Sequence, residues 1–481
     1  MAEHWPAYEA KMRARGLSDA AVGAFKRNFD QLVAGVTGMV AEDEIEPVLS
    51  LPVLSSLPNS NGNVQALLKE TAVLKLNGGL GTSMGLEKAK SLLEVKDGKT
   101  FLDLIAEQVK VMRSRYGSDV TFVLMDSFST SDDTRAFLAR GHADLLKEPH
   151  IELMQNMSPK VDAATFAPAA YPDDPDMEWC PPGHGDIYPS LLGSGMLDAL
   201  VSEGIKYLFV SNSDNLGATL DLQLLQHFAS TSAPFMMEVC ERTAADKKGG
   251  HLARRKADGK LMLRESAMCP DSDKAHFEDI ARHAYFNSNN LWVNLPTLKV
   301  TLAASGGVMP LPLIKNKKTV NPRDSSSAPV FQLETAMGSA IECFDGAAAV
   351  VVPRTRFAPV KTTSDLFVLR SDAYTITPEA TVEAVVDNVP LVKLDDGYYK
   401  LVDKLERLVK VPPSLKHCRS LTVKGPVRFE KGVVIRGNVT LECAGSEPVT
   451  VAATTFDGGK HVVKEPAAAP VPAGAPAPAF A

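Results

Sequence analysis

The chain has 481 residues, of which 45% are apolar and 23% charged, and carries a net charge of -7. A length of this order divides into two or three structural units, and the composition is that of an ordinary globular protein. The acidic balance disfavours a nucleic-acid backbone or an anionic membrane as the main partner, so a site for anionic small molecules must gather its cations locally.

Residues 1–60 read as an N-terminal helical segment. Met1–Lys26 contains no unbroken apolar run and mixes acids with its bases, unlike a secretory leader. Ser18 stands as an N-cap. Val22, Phe25, Phe29, Leu32, Val33 and Val36 follow at steps of three and four, which places them on one helix face. Pro47, Pro52 and Pro58 then end any helix and give an extended connector. No stretch approaches the roughly 20 apolar residues of a membrane helix. The six cysteines, at positions 180, 240, 269, 343, 418 and 443, form neither a C-x-x-C pair nor a zinc spacing. A cytoplasmic protein with reduced cysteines is the expectation.

From Thr71 the pattern changes to short apolar runs alternating with helical segments. Thr71–Leu76, Val120–Met125, Tyr207–Val210 and Pro234–Val239 read as strands, and Thr100–Arg115 and Tyr188–Glu203 as helices. Strands without strict alternation, separated by helices, predict a doubly wound, largely parallel α/β sheet covered on both faces, over residues 61–375. In such a sheet ligands bind beyond the carboxyl ends of the strands, so the residues following each apolar run carry the chemistry.

Leu76-Asn77-Gly78-Gly79-Leu80-Gly81-Thr82-Ser83-Met84-Gly85 follows the first strand directly. Its glycines let backbone N–H groups approach a phosphate. The loop lacks both the Gly-Lys-Ser/Thr of a Walker A loop and the G-x-G-x-x-G pattern. Lys90, five residues beyond Gly85, can reach phosphates held there. Pro181-Pro182-Gly183-His184-Gly185-Asp186 sets one histidine between glycines in a stiff loop, where it could bond a hydroxyl or a phosphate. Tyr207–Val210 runs straight into Ser211-Asn212-Ser213-Asp214-Asn215. A carboxylate at that strand end suits Mg²⁺, although Asp214 would serve equally as a turn residue or N-cap. Lys361, after Pro359 and the apolar run 347–352, is a second candidate phosphate cation, or otherwise a solvated lysine.

Residues 376–455 follow a different period. Val409, Leu415, Leu421, Val427, Val433 and Val439 are six residues apart, and Val423, Phe429, Ile435 and Leu441 repeat the step in a second register. This hexad period predicts a small left-handed β-helix, whose coils point one apolar residue inward per side. The Ala/Pro-rich stretch over 464–481 cannot bury a core and is expected to be a disordered tail.

Taken together, the strings LKLNGGLGTSMG, PPGHGDIYPSL, YLFVSNSDNLGA, NSNNLWVNL, QLETAMGSAIE and RFAPVKTTSDL resemble the eukaryotic-type UTP–glucose-1-phosphate uridylyltransferases, in one order from Thr71 to Tyr374. The resemblance implies transfer of the uridylyl group of UTP to glucose-1-phosphate with Mg²⁺ as cofactor. The backbone at Leu76, Asn77, Gly78 and Gly79 would hold the nucleotide, with Lys90 on the UTP phosphates. Gln155 and Gly183 would read the uracil. His184, Asn212, Glu265, Asn287 and Asn289 would surround the glucosyl phosphate. Asp214 would bind the metal, and Lys361 would stabilise the reacting phosphates. Two segments depart from the family pattern. Lys88-Ala89-Lys90-Ser91 stands where Gly-Pro-Lys-Ser is usual, and Pro159-Lys160 where Pro-Arg is usual.

Related UDP-N-acetylhexosamine pyrophosphorylases typically carry Gly-Thr-Arg in the glycine loop, where this chain has Thr82-Ser83. Many UDP-sugar glycosyltransferases carry Asp-x-Asp where this chain has Asn212-Ser213-Asp214. Both alternatives are disfavoured on these residues. A homo-oligomer through the β-helix is compatible with the resemblance.

Overall fold

The computed structural model describes residues 2–59 and 62–464; the tail expected over 464–481 lies, from residue 465 onward, outside them. The chain forms two compact units. The first comprises Met1–Gly81, Glu87–Pro359 and Ile376–Glu383, and the second Thr82–Leu86, Val360–Thr375 and Ala384–Ala481.

The first unit opens with helices α1 (Trp5–Ala14) and α2 (Asp19–Val33). Ser18 caps α2, its hydroxyl accepting the Ala21 N–H at 3.3 Å. Val22, Phe25, Phe29 and Leu32 are buried as their spacing requires, whereas Val36 lies past the end of the helix and is exposed. These residues pack with Tyr8 and Met12 of α1 against Val161, Trp179 and Leu333. Arg15 reaches Asp176 at 2.7 Å and the Tyr8 hydroxyl donates to the Phe166 carbonyl at 3.0 Å. The polar stretch 156–180 is thereby fastened to the N-terminal helices.

The sheet of this unit carries strands β1 (Thr71–Leu76), β2 (Thr121–Asp126), β3 (Glu152–Met154), β4 (Tyr207–Asn212), β5 (Phe235–Glu241), β6 (Tyr285–Asn294) and β7 (Ala348–Val351). Strands β4, β1, β2 and β3 lie side by side and parallel, so that Asn212 stands opposite Leu76, and Leu76 opposite Met125. Beyond β4 the pairing changes. Strand β6 is antiparallel to both β4 and β5, while β5 and β7 are again parallel. The architecture is therefore mixed α/β, with a parallel run at its centre. Between β5 and β6 the chain forms the hairpin of His251–Arg255 and Leu261–Arg264 in place of a crossover helix, and antiparallel neighbours need no longer connection than that.

The parallel strands are buried on both faces. Ala72 and Leu74 of β1 meet Tyr188 and Leu191 of helix α4 (Ile187–Gly193) and Leu197 of helix α5 (Met196–Ser202). On the other face lies helix α3 (Phe101–Tyr116), started by the Thr100/Asp103 capping box and ended by Gly117 at φ 56°. The single helix expected over 188–203 is broken into α4 and α5 at Gly195, whose φ of 77° belongs to the left-handed region that only glycine enters cheaply.

In the second unit, strands Leu391–Lys393, Ser414–Lys424, Val434–Glu442 and Thr455–Val462 form a parallel ladder, and Val427–Phe429 pairs in parallel with Val449–Val451. Leu421 stands opposite Val439, and Val439 opposite Gly459. Of the two hexad series, all are buried except Val409, which is half-buried. Helix α6 (Thr363–Arg370) brings Phe367 edge-on to Phe429, with ring centroids 5.5 Å apart.

Candidate active site

Beyond the carboxyl ends of β1 and β4 the chain turns into two loops, and one side-chain pair joins them. Lys90 Nζ donates to Asp214 Oδ2 at 2.6 Å, with both side chains partly buried. The Lys90 N–H is itself held by the Gly79 carbonyl at 3.0 Å, which closes the glycine loop back on its start. Leu76 ends β1, and its carbonyl accepts the Ser213 N–H at 3.2 Å. Asn77 is turned inward. Its amide nitrogen donates to Asp126 Oδ1 at 2.6 Å and to Thr134 Oγ1 at 3.0 Å, and its backbone N–H is engaged by Met125. Gly78 accepts from Ser127 Oγ at 2.9 Å, and Gly79 is exposed.

On the β3 side, Gln155 follows Met154 directly, and its side-chain amide donates to the Gly183 carbonyl at 3.0 Å. Gly183 has φ 79°, and a Cβ there would stand 2.5 Å from the Thr335 carbonyl oxygen, so glycine is required on both counts. Next to it, His184 Nδ1 accepts the Met337 N–H at 3.0 Å. That bond leaves the ring proton on Nε2, and burial pushes the imidazolium down to about 4. His184 is therefore a neutral donor. Asp186 sits beneath this loop, accepting from the Asn156 N–H at 2.7 Å and from Ser190 Oγ at 2.8 Å. Burial pushes its carboxyl up to about 7.

Three of the asparagines assemble at a β-bulge. Between β5 and β6, Glu238 is opposite Asn290 but Val239 is opposite Asn287, so residues 288 and 289 are extra. Asn289 takes φ 63°, a conformation asparagine tolerates. The bulge turns its side-chain amide to donate to Asn212 Oδ1 at 3.0 Å, and its backbone N–H donates to Asn287 Oδ1 at 2.8 Å. Glu265 follows the strand Leu261–Arg264, and its carboxylate lies against Gly250. Lys361 belongs to the second unit. Its backbone N–H donates to Asp365 Oδ2 at 2.9 Å in the cap of α6, and its side chain is exposed. Two residues before it, Pro359 bridges to Asn215, the neighbour of Asp214. Lys160, at the family's arginine position, is buried and donates to the Val320 carbonyl at 2.8 Å.

Beneath these loops lies a buried polar network. Arg356 makes a two-pronged contact with Glu238, Nε to Oε2 at 2.7 Å and Nη2 to Oε1 at 2.8 Å. Trp292 Nε1 and Asn290 Nδ2 also donate to Glu238. Asn215 donates to the Arg356 carbonyl at 3.1 Å and accepts from the Ala358 N–H at 2.9 Å. Lys75, next to the last residue of β1, donates to Ser211 Oγ at 2.7 Å and to the Ala218 carbonyl at 2.6 Å. The segment carrying Asp214 is thus tied down on both sides. The signal in the sequence was a charged residue with apolar neighbours on both sides, Lys75 in β1 and Glu238 in β5.

A profile of the UTP–glucose-1-phosphate uridylyltransferase family matches residues 22–436. The chain belongs to this family. It is 40% identical over 403 residues to the UTP–glucose-1-phosphate uridylyltransferase of Astragalus penduliflorus, covering 82% of each chain. It is also 40% identical over 410 residues to that of Saccharomyces cerevisiae, covering 84% of this chain and 80% of the yeast protein. Among solved structures, a mutant UDP-glucose pyrophosphorylase from Leishmania major in complex with UDP-glucose superposes with a TM-score of 0.90 at 45% identity, covering 96% of this chain and 99% of that one. The Trypanosoma brucei structure described as a UDP-glucose phosphorylase matches with a TM-score of 0.88 at 46% identity, over 96% of this chain and all of the other. No helix among the described residues is long and apolar enough to cross a membrane.

Proposed function

We infer that the chain transfers the uridylyl group of UTP to glucose-1-phosphate, giving UDP-glucose and pyrophosphate. The observation that carries this reading is the Lys90–Asp214 pair, which joins a glycine loop to a strand-end carboxylate in a member of this family. A phosphate oxygen of glucose-1-phosphate attacks the α-phosphorus of UTP in line, and pyrophosphate departs from the opposite side. The nucleophile is ionised at neutral pH, so no protein base is needed. The obstacle is charge: two unit anions 4 Å apart at an effective dielectric near 20 repel by about 4 kcal/mol. Fixed cations and N–H donors offset that repulsion where it develops.

In this reading the backbone of Leu76 to Gly79 and the ammonium of Lys90 hold the UTP phosphates. Gln155 and the Gly183 backbone face the uracil, their mutual hydrogen bond fixing the edge they present. His184 Nε2–H donates to the glucosyl phosphate or a sugar hydroxyl. Asn212, Asn287, Asn289 and Glu265 bond the remaining hydroxyls, and the exposed Lys361 neutralises the reacting phosphates. Asp214 would hold Mg²⁺. Its carboxylate carries one lysine bond, and no group of three His, Cys, Asp or Glu surrounds it among the described residues. The fit rests on the carboxylate itself, a hard oxygen donor of the kind Mg²⁺ takes alongside water and phosphate oxygens. When bound, the ion would supply charge neutralisation on the phosphates.

The functional division we assign follows role: residues 1–60 as a helical support, 61–375 as the nucleotide- and sugar-phosphate-binding domain, and 376–455 as a left-handed β-helix. The parallel ladder and buried hexads support the last assignment. We assign the protein to the cytoplasm, and its β-helix to a possible homo-oligomer contact. The test is pyrophosphate release from UTP with a panel of sugar-1-phosphates. Glucose-1-phosphate should be the preferred acceptor. Preference for N-acetylhexosamine-1-phosphates, or release only with a nucleotide-sugar donor and a glycosyl acceptor, would overturn the reading.

A further inference from the structure

Strand β1 shows Val73 and Lys75 to the face opposite Ala72 and Leu74, and on that face the packing is incomplete. A cavity of about 210 Å³ remains there, lined by Val73 and Lys75 of β1, Val109 and Met112 of α3, and Leu220 and Leu222 after the Asp214 loop. It opens past Arg115 and Glu379, which pair at 2.5 Å in solvent. The buried end is unusual in charge. Lys75 is 3% exposed, yet no carboxylate pairs with it among the described residues. The nearest acid in the network, Glu238, is already taken by both prongs of Arg356. Lys75 spends two of its three donors on Ser211 Oγ and the Ala218 carbonyl, and its ammonium stands 5.7 Å from the centroid of the Phe209 ring, which carries no full negative charge. A buried cation without a counter-ion is costly, and its complement is an anion. Burial, with the charge of Arg356 adding to it, pulls the Lys75 ammonium down to about 7, against a smaller opposing pull from Glu238.

We propose that this cavity is a binding site for a small amphipathic carboxylate, with an aryl or short alkyl body against α3 and its carboxylate on Lys75. The size agrees, since a dry cavity of roughly 150 Å³ suffices for benzene. The site is also wired to the reaction. Lys75 holds the Ala218 carbonyl and Arg356 Nη2 holds that of Thr219. Leu220 and Leu222 line the cavity directly. A carboxylate that draws Lys75 away from Ala218 loosens the segment that carries Asp214, so occupancy slows turnover without competing with UTP.

The test uses phenylpropionate as probe and phenylpropanol as its neutral twin, by calorimetry on the whole chain and by turnover at saturating substrates. Saturable binding of phenylpropionate is expected, about tenfold or more tighter than that of the alcohol. Met112→Trp, which fills the cavity near its mouth, should abolish binding while leaving basal turnover within about twofold. At saturating probe, turnover of the unaltered chain should fall at least about twofold, and that of Met112→Trp should not change. Absence of saturable binding, equal binding of the alcohol, binding that survives Met112→Trp, or unaltered turnover each overturns the proposal. The turnover readout rests on the activity inferred above, whereas the calorimetry does not. A chain that binds the probe but never releases pyrophosphate would therefore refute the activity and spare the cavity.

Discussion

Lys90 Nζ lies 2.6 Å from Asp214 Oδ2, a contact between the loop that follows β1 and the loop that follows β4. Each residue fixes the other before any phosphate arrives, and the Gly79–Lys90 backbone bond fixes the lysine a second time. Preorganised charge of this kind is worth roughly 10²–10³ in rate when removed. Lys90→Met should therefore lower kcat/KM for pyrophosphate release by about that factor. Because the two side chains act as one unit, adding Asp214→Asn should cost much less than the product of the single losses. Fully multiplicative losses in the double variant would show that the contact has no functional meaning.

Lys361 offers a cleaner experiment on the second proposed cation. The cap of α6 is built from the Lys361 and Thr362 backbone N–H groups and the Asp365 carboxylate, and the lysine side chain is exposed. Lys361→Ala should keep the thermal midpoint and lower kcat by roughly 10²–10³. Near-normal turnover would remove Lys361 from the reaction.

The residues that surround the proposed reaction were legible for a physical reason. Gly78 and Asp214 each stand two residues beyond an apolar strand, where the chain leaves the core, whereas Gln155 was legible only through the family resemblance. The hexads were legible because one inward residue per coil side leaves a period no helix or plain strand shares. What escaped the sequence depends on pairing between distant segments. The antiparallel course of β6 is decided by the hairpin that precedes it. The partnership of Glu238 with Arg356 joins residues from β5 and from the turn after β7. The bulge at Asn289 needs a register shift that only the partner strand reveals. Lys75 was visible as a lysine inside TAVLKL, but its two acceptors lie on the β4 side.

Gly183 is the place where backbone geometry and recognition coincide. Its carbonyl holds Gln155, its φ is 79°, and Thr335 leaves no room for a Cβ. Strain at a position of this kind costs about 1–3 kcal/mol, before any clash is counted. Gly183→Ala should lower stability by at least that much in denaturant titration. It should also weaken UTP binding, measured calorimetrically without the second substrate, more than it weakens binding of glucose-1-phosphate. Equal weakening of both would mean that the loop supports the site as a whole and does not face the uracil.

The acid behaviour of His184 follows from its bond to Met337. In the fold the ring is neutral down to about 4, whereas in the unfolded chain it protonates near its ordinary value of 6.5. Its contribution to stability is therefore complete above pH 6.5 and is lost as pH falls from 6.5 to 4, at up to about 1.4 kcal/mol per pH unit. Asp186 works in the opposite sense: with its carboxyl raised to about 7, the fold takes up a proton that the unfolded chain does not, and stability is gained as pH falls through 7. The two trends offset each other in the unaltered protein, so the test is a difference. His184→Asn keeps an acceptor for the Met337 N–H and removes the titration. The gap in unfolding free energy between the unaltered protein and this variant should be constant above pH 6.5 and should shift steadily against the unaltered protein between pH 6.5 and 4. A gap that stays level across that window would mean that the histidine titrates alike in both states, and that its ring is not held as a neutral donor.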